Sequence, residues 1–61
     1  MEDMNAEARR VLRDSSTEEK AVKNLEKLGL IAPVVFFSKP NEVGQTMKMG
    51  VAWHGSEVIY F

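Results

Sequence analysis

The sequence predicts an α+β fold, with two N-terminal helices packed on one face of a three-stranded antiparallel β-meander in the order α-α-β-β-β. Three observations predict it. Residues 45–53 alternate with period two and run into turn chemistry at His54-Gly55-Ser56, the signature of a hairpin. A capped amphipathic stretch ends at Gly29, as a helix does. Between Pro33 and Pro40 lies Val34-Val35-Phe36-Phe37-Ser38, β-branched and aromatic and too short for a helix, hence a strand.

In residues 1–14, Met1, Met4, Ala8, Val11 and Leu12 fall on one side at helical spacing, with Arg9, Arg10 and Arg13 opposite. The run Asp14-Ser15-Ser16-Thr17 breaks that pattern. Ser16 followed by Glu19 matches a capping box, so a second helix is expected over residues 17–28, with Ala21, Val22, Leu25 and Leu28 as its apolar stripe. Gly29 stands where a left-handed cap is wanted, and Leu30 where the accompanying apolar contact falls. Residues 39–44 are turn chemistry, and residues 45–53 form the central strand of the meander.

Composition narrows the function classes. A chain of 61 residues reads as one small domain, and such a chain buries only about 60% of its unfolded surface, so extra stabilisation is expected. With no cysteine and one histidine, neither a disulfide nor a structural zinc supplies it, and no metal or other cofactor is expected. Oligomerisation or a partner remains. Eight Lys+Arg against nine Asp+Glu leave a net charge of -1, which gives no global attraction to nucleic acid or membrane. Without a signal-like N-terminus or a long apolar run, a soluble cytoplasmic protein is expected, with no membrane partner.

The predicted sheet is apolar on both faces. Met47, Met49, Val51 and Trp53, with Val58 and Tyr60, are expected to seat the helices, Trp53 packing against Val22, Leu25 and Leu28. Gly50, Ala52, Ile59 and Phe61 fall on the other face, with either Val34 and Phe36 or Val35 and Phe37 according to register. Phe61 lies over Gly50 if the turn is Gly55-Ser56. Two short helices cover one face only, so Phe36, Gly50, Ala52, Ile59 and Phe61 are the expected interface, most simply with another copy of the chain. The strands at residues 34–38 and 57–61 are both edges, and main-chain pairing between subunits is a second route.

Candidate chemistry is sparse. His54 beside Ser56 and Glu57 has the residue types of a nucleophile and its base, but near-consecutive positions on one hairpin leave no pocket and no oxyanion donors, so a turn histidine is expected. The glycines are scattered and none opens a helix, so no phosphate cradle is read. No catalytic residue is expected. Basic residues are better organised: Lys20, Lys23 and Lys27 line the polar side of the second helix, and Arg9, Arg10 and Arg13 that of the first, as phosphate contact requires. Glu19 and Glu26 border the lysines, the usual pattern of a solvated face. Phe36, Lys48 and Phe61, if they share a face, form an aromatic-basic set of the kind that stacks bases.

The segment STEEKAVKNLEKLGLI, residues 16–31, resembles the recognition helix of winged-helix DNA-binding domains, in which a capped helix ending in Leu-Gly-Leu-Ile feeds a β-hairpin wing. It covers about a quarter of the chain. The resemblance implies DNA contact by the basic helix residues. Glu18 and Glu19 at the end that would enter the groove, and a single preceding helix, depart from the family pattern. The first expectation is therefore a non-catalytic regulatory or inhibitory protein that binds another macromolecule, as a homodimer or small oligomer with an unidentified protein partner. A winged-helix-like DNA-binding regulator is the second.

Overall fold

The computed structural model describes residues 3–61. Met1, expected in the first helix's apolar stripe, lies outside them. Helix α1 spans Met4–Asp14, α2 spans Glu18–Lys27, and strands β1 (Ile31–Phe37), β2 (Lys48–His54) and β3 (Glu57–Tyr60) form one antiparallel sheet in the order β1-β2-β3. The α-α-β-β-β layout is the one the sequence predicts.

Asp3 caps α1, its carboxylate accepting from the Ala6 N–H at 2.8 Å. The second helix starts one residue later than the Ser16–Glu19 capping box places it. Thr17 is its N-cap, extended in backbone, with Oγ1 accepting from the Lys20 N–H at 3.1 Å. Since Lys20 now holds the third helical position, the reciprocal carboxylate of a capping box is missing. At the other end Gly29 takes φ 96°, its N–H donates to the Glu26 carbonyl, and the Leu30 N–H reaches back to the Leu25 carbonyl. That is a Schellman stop, closed by the buried pair Leu25 and Leu30.

Strand β1 begins three residues earlier than its apolar run, at Ile31, and carries an irregularity between Ile31 and Val34 where Ala32 takes φ 51° and Pro33 is buried. The bulge accommodates a proline, which has no N–H to give a ladder, within a strand at the sheet edge. The connection to β2 is pinned by Asn41, whose Oδ1 accepts from the Val43 and Gln45 N–H groups at 3.0 and 2.9 Å. Between β2 and β3, His54 pairs with Glu57 across a two-residue loop, and φ is positive at Gly55 (65°) and not at Ser56, the type II′ turn of a tight hairpin.

Both helices lie on the sheet face that carries Gly50, Ala52, Ile59 and Phe61. Ala8, Leu25, Leu30 and Ala52 are the centre of the core, with Val35, Ile59 and Phe61 packed against it. This inverts the expected face. Trp53, placed against Val22, Leu25 and Leu28 by sequence, is 46% exposed on the opposite side. The reason is steric. Two short helices whose stripes include Ala8 and Ala21 bury those alanines completely, and they reach the sheet where Gly50 and Ala52 leave room rather than where Met49 and Trp53 stand up.

One charged residue of β2 belongs to the helix side. Lys48 Nζ donates to the carbonyls of Arg13 (3.0 Å) and Ser15 (2.7 Å) and sits 4.9 Å from the centre of the Phe37 ring. It satisfies carbonyls at the end of α1 and places positive charge at that helix's negative pole.

Candidate functional site

With the helices on one side, no element of the described residues lies over the other face of the sheet, and the strand register determines what it shows. Phe36 pairs with Met49, Val34 with Val51 and Val51 with Tyr60, and Ile31 with Trp53 and Trp53 with Val58. Every cross-strand set on this side is apolar or aromatic. Among the described residues of the three strands, no charged side chain faces this way, since Lys48, His54 and Glu57 alternate to the other side.

These side chains are open. Tyr60 is 73% exposed, Val34 63%, Phe36 56% and Met49 51%. Taking about 150–250 Å² for a large side chain, the face presents about 700 Å² of contiguous apolar surface. The largest such patch on an ordinary monomer is about 300–600 Å². Trp53 and Tyr60 add a ring N–H and a hydroxyl to an otherwise apolar plane, the amphipathic character favoured at protein interfaces.

The sheet edges are more protected than residue types imply. The outward N–H of Phe37 at the end of β1 is taken by the Glu18 carboxylate at 3.0 Å, and the irregularity around Pro33 interrupts the same strand. On β3, the Tyr60 carbonyl accepts from the Asn5 side-chain amide on α1. A helix thus guards each edge, where the sequence reading leaves both open to main-chain pairing.

Of the five residues expected at an interface, Phe36 alone is on the open face. Gly50, Ala52, Ile59 and Phe61 are beneath the helices, with Ala52 only 2% exposed, and this corrects their assignment. The residues that take their place are Val34, Met49, Val51, Trp53, Val58 and Tyr60. The signal that finds them is side-chain size along β2, since the face with glycine and alanine is the one a helix can approach closely. Phe36 and Phe61 are on opposite faces and Lys48 is engaged with α1, so the expected base-stacking set does not assemble.

The basic residues remain at the surface. Lys20, Lys23 and Lys27 are exposed on α2, and Arg9, Arg10 and Arg13 on α1. Arg9 and Arg13 line an open groove with Leu12, Thr46, Lys48 and Phe61. His54 and Glu57 border a separate depression with the start of α1, including Asp3 and Glu7. No group of three metal-ligating side chains is found among the described residues, and no helix among them is long and apolar enough to cross a membrane.

Comparison of the chain with protein-family models, with curated proteins and with solved structures found no match.

Proposed function

We propose that this chain is a non-catalytic binding protein that regulates or blocks another macromolecule in the cytoplasm as a homodimer or small oligomer, and that the open face of its sheet is a surface through which it associates with protein. One observation carries the reading: an antiparallel sheet with a solvated face alternates to polar residues on that face, and this one alternates instead to Phe36, Met49, Trp53 and Tyr60. Keeping so much apolar surface in water is unfavourable by about 25 cal/mol per Å², and burying it against a partner recovers that free energy. The non-catalytic part is supported by the placing of His54 opposite Glu57 at the tip of a hairpin, where both side chains are exposed.

A photo-crosslinking side chain installed at Phe36 or Tyr60, with Lys23 on α2 as comparator, tests this in cells that naturally make the protein. Adducts forming from the two sheet positions and not from α2 are expected. Adducts forming from Lys23 alone would overturn it.

The second reading, a winged-helix-like DNA-binding regulator, draws support from the exposure of Lys20, Lys23 and Lys27 on the helix that resembles a recognition helix. It predicts a DNA-probe shift that weakens steeply with salt, because phosphate contacts release counterions. An apolar interface has no such dependence.

A further inference from the structure

We infer that the occupant of the open face is a second copy of this chain, the two sheets stacking face to face about a two-fold axis with the helices outside. This rests on the reading of that face as the docking surface, and names what covers it.

Area is the first argument. A stable protein–protein interface takes about 800 Å² from each partner, and the open face offers about 700 Å² before any rim is counted. The chain as a whole shows the same excess. A folded monomer of 6.9 kDa exposes about 4,000 Å², whereas this one exposes 4647 Å². Its thinnest dimension, measured over Cα atoms, is 16 Å, enough for one helix layer on one sheet. A face-to-face dimer stacks a second sheet on the uncovered side of the first, with sheets about 10 Å apart and strands within about 30° of alignment.

Charge narrows the choice of occupant. Among the described residues the face holds no charged side chain for a partner to pair with, so whatever covers it must itself be apolar and uncharged over a similar area. The chain's own face meets that requirement and is always present at the same concentration. A two-fold contact is also self-complementary and closes on itself. The edge route, which would build an open array, is obstructed by Glu18 and Pro33 on β1 and by Asn5 on β3.

The test is sedimentation of the wild-type chain at tens of micromolar, beside Val34→Asp and Tyr60→Asp. Both positions are on the open face and outside the core, and circular dichroism checks that each variant folds; Val34→Lys replaces either one that does not. The wild type is expected at twice the 6.9 kDa chain mass and the folded variants at the chain mass. Trp53 emission should shift to the blue as the wild type is concentrated and stay red in the variants. A wild type of monomer mass, or a dimer that survives the folded charged variants, overturns the inference. The crosslinking experiment separates the two failures. Monomeric protein that crosslinks from Tyr60 to a different macromolecule overturns the dimer and keeps the docking surface, and monomeric protein that forms no adduct from Phe36 or Tyr60 overturns both.

Discussion

Gly50 and Phe61 exchange both backbone hydrogen bonds, each 2.9 Å, and the Phe61 ring occupies the space in which a side chain on Gly50 would stand. A Cβ built there would be 2.9 Å from ring atoms Cδ2 and Cζ and closer still to Cε2. The glycine is a seat for the ring, and through the ring for the helices packed above it. Gly50→Ala should therefore destabilise by about 1–3 kcal/mol, the cost of overpacking a filled site. In urea unfolding, Gly50→Ala/Phe61→Ala should lose less than the sum of its two single variants, because removing the ring removes the clash. Additive losses would show that the ring has another place to go.

Much of the fold is legible from local chemistry, which is short in range. Gly29, Gly55-Ser56 and the period-two run through β2 each specify a turn or an element by themselves, and the structure has all three. The side of the sheet that the helices cover is a different kind of question. Met49 and Trp53 are more hydrophobic than Gly50 and Ala52, and apolarity alone assigns them to the core. What decides is fit between elements distant in sequence: Ala8 and Ala21 on the helices meet small residues on the strand, and bulky ones are left outside. The open site is hidden for the same reason, since apolarity alone sends its residues to the core.

At the start of α2 the two neighbouring hydroxyls are not equivalent. Thr17→Ala should destabilise by about 0.5–2 kcal/mol, since it frees the Lys20 N–H, while Ser16→Ala should fall within about 0.5 kcal/mol of wild type. Equal losses in thermal unfolding would place the cap elsewhere. The shift from Ser16 to Thr17 depends on tertiary contact, because Glu18 reaches the Phe37 N–H and Ser15 is engaged at the end of α1, its hydroxyl donating to the Val11 carbonyl at 2.8 Å.

Lys48→Met keeps the length of the stem and removes the ammonium, leaving the Arg13 and Ser15 carbonyls without their donor. A loss of about 1 kcal/mol is expected, at the lower end for charge-assisted bonds because the site is partly open to water. Hydrogen exchange should quicken first at the end of α1. Unchanged exchange there would mean that water replaces the lysine at no cost.

Leu25 and Met49 separate the two sides of the sheet most directly. Leu25 is completely buried, accepts the Leu30 N–H that closes the stop of α2, and sits within the cluster of Ala8, Leu30 and Ala52. Truncating it to alanine leaves a cavity in a core with few large side chains, at about 2–5 kcal/mol, a large share of the total stability of so small a domain. Met49, half exposed on the open face, makes no such contribution to the protomer core. Met49→Ala should therefore leave unfolding unchanged within about 0.5 kcal/mol in dilute solution, where protomers are separate. At high concentration it should lower the midpoint, because stabilisation by association follows mass action and the variant associates less. A Met49→Ala variant that unfolds as readily as Leu25→Ala when dilute would return the Met49 and Trp53 side to the core, and the open face would cease to be a site.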